Sequence, residues 1–185
     1  DALFNADGNA NVTSNRAVLG QAVPYVGEFG ISTNPESFAK YGFRTYFTDR
    51  ARGAVLRLSQ DGLETLHTKG MGDYFSDKLA NTSVAIGSFD DNKSSYNISL
   101  QNNKARGLDD TVSYKEQVSG WPSRKSYIPE NGISLNNVYY TFKNGEMYSH
   151  DNEVRNNFYG VQYSSKVKFI FNESPEVVKS FLTLN

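Results

Sequence analysis

The sequence predicts an all-β protein built from antiparallel hairpins and meanders, propeller-like or a sandwich, with little helix. Three observations predict it. Apolar and aromatic residues alternate with polar ones at a period of two, turn chemistry recurs between the alternating runs, and helical periodicity is thin. With 185 residues the chain is long enough for one domain with its own core, since chains of about 150 residues bury roughly two thirds of their unfolded surface. A hydrophobic content of 38%, to which 15 Gly are added, places it among globular rather than disordered chains despite a mean hydropathy of -0.56.

Residues 1–19 are rich in Asn, Ala and Asp, lack apolar periodicity and read as an N-terminal arm or loop. Residues 20–185 read as the all-β module. The run 36–42, ESFAKYG, has the makings of one helical turn. From Gly42 onward Phe43, Thr45 and Phe47 alternate with Arg44, Tyr46 and Thr48, the pattern of a half-buried strand in which aromatic and β-branched residues dominate. The turn DRARG follows, with Gly53 at its end, and a second alternating run over 54–58 contains Arg57. Asp61 and Gly62 then supply the residues that a tight turn with positive φ requires, before LETLH extends again. The result is a meander.

The same grammar returns twice. In SVAIGSFDDNKSSYNISL, residues 83–100, a strand ends in the acidic-polar turn 90–94, and a second strand carries Tyr96, Ile98 and Leu100. In LNNVYYTFKNGEMYSHD, residues 135–151, the strand 138–142 contains Tyr139, meets Asn144-Gly145 and returns through 146–150. Asn-Gly between alternating runs is the strongest short-range hairpin signal. The turn residues Asp49, Asp91 and Asn144 recur at intervals close to the roughly 40 to 50 residues of one four-stranded propeller blade. The run 174–182, SPEVVKSFL, starts as a helix could, but its alternation and shortness favour a strand.

Composition excludes several functions. With 19 basic and 20 acidic residues the net charge is -1, which leaves no global field for a nucleic-acid backbone. There is no Cys, so disulfides, thiolate nucleophiles and Cys-based zinc sites are excluded. No apolar run approaches the roughly 18 residues of a membrane span, and the N-terminus carries no visible export signal. The sequons at Asn11, Asn81, Asn92, Asn97 and Asn172 then read as products of an Asn- and Ser-rich surface. The chain opens without Met and ends within an alternating pattern, as a segment of a longer polypeptide would.

No catalytic residue and no cofactor or metal is expected. Asp7-Gly-Asn9-Ala-Asn11 and Asp90-Asp-Asn92-Lys-Ser94 place oxygens at alternate positions, but neither has Gly at the sixth loop position or the bidentate Glu of a calcium loop at the twelfth. His67 and His150 stand apart, each at a strand end, without a nucleophile-elbow motif. The carboxylates Asp49, Asp61, Asp73, Asp90, Asp91 and Glu146 sit in turns, where solvation explains them more simply than a glycosidase pair. Aromatic residues are the one excess: 12 Tyr, 12 Phe and one Trp. Some of these, with Trp121, Tyr127 and Tyr139 as candidates, could form contact surfaces for a partner or ligand; an aromatic core explains them equally well.

YFTDRARGAVLRLSQDG, residues 46–62, resembles the Tyr-Trp-Thr-Asp type of propeller repeat, with Phe47 in place of Trp. The resemblance implies that Tyr46, Phe47, Thr48 and Asp49 build a blade, with Asp49 tying turns together. SQDGLET resembles the aspartate box of sialidase-type propellers, a structural motif there, with Gly62 one position early. Over residues 20–185 the order YGFRTYFTDRARGAVLRLSQDGL, IGSFDDNKSSYNISL, VSYKEQVSGWPSRKSYIPENGISLNNVYYTFKNGEMYSHD and NNFYGVQYSSKVKFIFNESPEVVKSFLTLN is similar to large virion structural proteins of tailed bacteriophages. That resemblance implies a tail-associated structural component that assembles in the host cytoplasm, as a homo-oligomer and with other virion proteins. A glycan- or receptor-binding module, with Trp121 and Tyr127 as stacking platforms, is the alternative.

Overall fold

In the computed structural model, residues 3–4, 10–11, 25, 27–102, 109–167 and 176–180 are described. The fold is all-β, as the alternation predicts. Within the N-terminal stretch β1 (Leu3–Phe4) pairs antiparallel with β2 (Ala10–Asn11). Three meanders follow. The first sheet runs through β3 (Ala39–Tyr41), β4 (Arg44–Asp49), β5 (Ala54–Ser59) and β6 (Gly62–Thr65). The second contains β7 (Val84–Asp90), β8 (Ser95–Gln101), β9 (Asp110–Lys115) and β10 (Gly120–Lys125), and the third β11 (Asn131–Leu135), β12 (Val138–Lys143) and β13 (Glu146–Ser149). A last ribbon joins β14 (Asn157–Phe158) to β15 (Val161–Gln162). In every sheet each strand pairs with its sequence neighbour.

The three hairpins expected from the sequence are present, at 44–59, 84–101 and 138–149. Their turns are not equivalent, however. The turns after Asp49 and at Asn144 join the second and third strands of their sheets, whereas the turn at Asp91 joins the first and second. The regular spacing of those three turns is therefore not a repeat of one structural position. The 36–42 run divides between a 3-10 turn (Pro35–Ser37) and β3. Residues 176–180 form no strand, and the rest of the strand expected at 174–182 lies outside the described residues.

One α-helix, α1 (Gly72–Asn81), was not anticipated. Met71, Phe75 and Leu79 recur four apart, Asp73 lies in the first turn and Lys78 in the last, which suits the helix dipole. Phe75 and Leu79 are buried and pack with Val55 and Leu66 between the first and second sheets. Gly53, at φ 63°, meets this helix: a Cβ there would stand 2.8 Å from the Ser76 Cα. Only glycine allows both the turn and the approach.

The second sheet is the middle layer, and the alternation of β8 shows how. Tyr96, Ile98 and Leu100 face the first sheet and join Tyr46, Phe89, Val112 and Tyr114 in the main core. Tyr46 stacks on Tyr96 at 5.0 Å and on Phe89 at 5.5 Å. Burying each such ring contributes on the order of 2 kcal/mol. The opposite face of the same strands carries Ser88, Asn97, Ser99, Thr111 and Ser113, all buried. Burial of hydroxyls and amides is tolerable only with partners, and they bond one another: Ser113 Oγ donates to Asn97 Oδ1 at 2.5 Å, and the Ser99 and Thr111 hydroxyls share a bond of 2.7 Å.

Candidate functional site

The first strands of the three meanders converge. β3, β7 and β11 line one groove of about 390 Å3, flanked by Glu36, Lys40 and Asp91. Two glycines permit this closeness. A Cβ on Gly87 would stand 1.8 Å from the Ser37 carbonyl oxygen, and one on Gly132 would stand 2.7 Å from the Tyr139 hydroxyl. Side chains then tie the strands. The Tyr96 hydroxyl donates to the Ser37 carbonyl at 2.7 Å, Ser134 Oγ donates to the Phe89 carbonyl at 2.9 Å, and the Asp91 N–H donates to Ser134 Oγ at 3.0 Å. Three sheets tied around their first strands form an arc.

The motif residues of the first hairpin serve this arc in different ways. Tyr46 is fully buried, and its hydroxyl donates to Glu116 Oε1 at 2.8 Å in the β9–β10 connection. Burial first, and the adjoining Glu116 carboxylate second, push the Tyr46 phenol far above its ordinary value. Arg57 reaches the same Glu116 at 2.5 Å and also bridges to Glu64. Phe47 lies half-buried on the other face, and Phe43 is 84% exposed, so the inward parity of β4 belongs to Tyr46 and Thr48. Asp49, almost wholly buried, accepts the Gly30 N–H at 3.0 Å, the Arg52 N–H at 3.3 Å and the Arg52 guanidinium at 3.2 Å. Asp61 is exposed, and Gly62 turns at φ 104°. Asn144 and Gly145 both hold positive φ, 54° and 80°, as a type I′ hairpin demands, and Glu130 accepts the Asn144 N–H at 3.1 Å.

Of the three aromatic candidates for partner contact, Tyr127 and Tyr139 are buried and Trp121 is half-buried. Trp121 is half-buried against Phe75 and Tyr114, and its indole N–H donates to the Leu66 carbonyl at 3.1 Å. Tyr127 and Tyr139 are buried and flank His150 at ring distances of 4.7 Å and 5.1 Å. Packing within the chain encloses the Tyr127 and Tyr139 rings, while Trp121 keeps part of its surface exposed. His150 bonds the Thr141 hydroxyl through Nε2 at 2.7 Å, and burial lowers its pKa to about 4, with Lys93 and Lys125 adding to the effect and Asp151 opposing it. His67 contacts the Val55 backbone at 3.4 Å.

The Asp90-Ser94 run is a turn that closes on itself: Asp90 Oδ1 accepts the Lys93 N–H at 3.0 Å. The other calcium-like run, 7–11, is described only as far as the backbone of 10–11. Among the described residues no three His, Asp or Glu side chains gather to hold a metal, and no helix is long and apolar enough to cross a membrane.

What does lie on the surface is the outer face of the third sheet. Strand register puts Ile133 beside Tyr140, Leu135 beside Val138 and Phe142 beside Met147, all on the side away from Tyr139 and Thr141. Ile133, Leu135, Val138 and Met147 are exposed, Met147 to 59%. Sequence reasoning finds the alternation of this hairpin but not which face lies open, because that depends on which side meets the second sheet.

The ribbon β14–β15 docks next to this sheet: Phe158 packs on Tyr127 at 5.0 Å, and the Tyr159 hydroxyl donates to Thr141 Oγ1 at 2.8 Å. Residues 153–185, which include this ribbon and cover less than a fifth of the chain, match the family model described as Crassvirus muzzle protein C-terminal domain. That match supports a structural component of a phage particle. No curated protein matches the chain.

Proposed function

We propose that this protein is a structural component of a tailed-phage virion, tail-associated, that acts by assembly with copies of itself and with other virion proteins. The observation that carries this reading is the match of residues 153–185 to the C-terminal domain of the Crassvirus muzzle protein. The sheet arc supports a load-bearing role, since its layers are tied by buried hydrogen bonds rather than by a mobile linker. The open apolar face of the third sheet supports assembly, because large exposed apolar patches mark interaction surfaces. The arc of three meanders is read as part of a propeller-like assembly, the chain acts without catalysis, and it joins the particle in the host cytoplasm.

Mass spectrometry of purified particles tests the reading. Peptides of this chain are expected in the particle at constant stoichiometry to the other structural proteins. Their absence from particles, with the chain recovered free in the host or medium, sinks the structural role.

A second reading, a glycan- or receptor-binding module, is favoured by one observation. A cavity beside the third sheet gathers lysine and arginine side chains against an aromatic wall.

A further inference from the structure

The cavity lies where the end of β10, the β7–β8 turn and the 150–158 loop meet, and it measures about 190 Å3. Its lining includes Lys93, Lys125, His150, Asp151, Arg155 and Phe158. These residues come from three separate stretches of chain. Lys125 reaches the cavity because it pairs with Thr111, on the polar face of the second sheet that looks toward the third.

The charges in the cavity do not balance. Lys93 is committed to Asp151, at 2.5 Å. The buried carboxylate of Asp90 accepts the Lys93 backbone N–H and also acts on Lys125. Among the described residues, the Lys125 ammonium and the Arg155 guanidinium have neither a hydrogen bond nor an ion pair. His150 is neutral near pH 7, held so by its surroundings. The lining thus carries three cations, Lys93, Lys125 and Arg155, against one carboxylate, Asp151, with the Asp90 carboxylate close by. Burial draws the Lys125 ammonium below its ordinary value, with Lys93 adding to the effect and Asp90 and Asp151 opposing it. An incoming anion would relieve that cost. Phe158, half-buried, adds a flat apolar wall.

We propose that this cavity binds one carboxylate-bearing sugar unit of a surface polysaccharide, with Lys125 and Arg155 taking the carboxylate and Phe158 packing on the C–H face of the ring. The volume holds roughly six waters, the scale of a single sugar unit rather than of a chain. A planar guanidinium and an ammonium converging on one carboxylate give charge-assisted bonds, the strongest that a small site can offer. The proposal rests on the glycan-binding reading and is independent of the virion role.

Galacturonic acid, glucose and acetate are titrated into the full chain and followed by NMR chemical shifts, with Lys125→Met and Arg155→Gln as variants. Galacturonic acid is expected to bind saturably, acetate more weakly and glucose weakest. Each variant should weaken galacturonic acid by at least about tenfold while thermal unfolding stays near that of the parent. Arg155 is exposed, so the second variant remains informative if Lys125→Met fails to fold. Absence of saturable binding, or undiminished binding in both variants, overturns the proposal. Acetate binding as tightly as galacturonic acid overturns the sugar contact, and glucose binding as tightly overturns the anion contact. A neutral polysaccharide retained by the parent and by both variants would keep the glycan reading and remove this site from it.

Discussion

Single atoms decide how closely the layers of this protein meet. Gly87 leaves no room for a methyl group beside the Ser37 carbonyl, so Gly87→Ala must push β7 away from the 3-10 turn before β3 and break the Tyr96 bond to that carbonyl. A loss of roughly 3 kcal/mol is expected in urea unfolding. Gly145→Ala, strained only by its positive φ at an open hairpin tip, should cost about 1 kcal/mol. Equal costs for the two would refute the close-approach argument. His150 gives a pH test. Its folded pKa of about 4 lies below the roughly 6.5 of an unfolded chain, so between those values the unfolded state binds the extra proton. The contribution of His150 is fully present above pH 6.5 and is lost as pH falls toward 4. Compared with His150→Gln, the parent should lose on the order of 2 kcal/mol more between pH 7 and pH 4.5. Parallel unfolding curves for the two proteins across that range would contradict the burial of a neutral imidazole.

At the scale of elements, the first and second sheets are joined by one polar tie as well as by their aromatic core. Arg57 of β5 bridges Glu64 of β6 and Glu116 of the β9–β10 connection, where the Tyr46 hydroxyl also arrives. Arg57→Met keeps the stem and deletes the charge, leaving Glu116 with only the Tyr46 hydroxyl from this network. A loss of about 2 kcal/mol is expected by thermal or urea unfolding, and it should shrink when Glu116→Gln is combined with it. Strict additivity of the two changes would show that they do not act on each other.

The same scale explains what the sequence revealed. Hairpins 44–59, 84–101 and 138–149 are legible because alternating residues flank strong turn chemistry. Helix α1 escapes because Met71 stands at its N-cap without a capping bond and Gly72 opens it, so the usual start signal is missing. The β9–β10 pair escapes because its connection is a 3-10 turn ended by Ser119 at positive φ, not by a glycine. Tyr139 shows the limit for sites: a tyrosine on an alternating strand faces a neighbour or solvent according to sheet packing, which no local pattern encodes. Lys93, Lys125 and Arg155 become neighbours through that packing alone.

At the scale of the whole molecule, the apolar outer face of the third sheet lies open among the described residues. Its exposed Ile133, Leu135 and Met147 are expected to be covered by another subunit in the assembled state. Ile133→Asp with Leu135→Asp should weaken self-association by at least about a hundredfold in sedimentation velocity while circular dichroism stays unchanged. Self-association of undiminished strength would move the contact to another surface.

The meander connectivity also sets an order of events. Each sheet is completed from one contiguous stretch, 39–65, 84–125 and 131–149, so no strand waits for a partner from a later sheet. On a ribosome that adds about 5 to 20 residues per second, the first sheet can close before the second is made, and the second before the third. A chain of this kind spends little time during synthesis with strands that lack a partner from the same stretch.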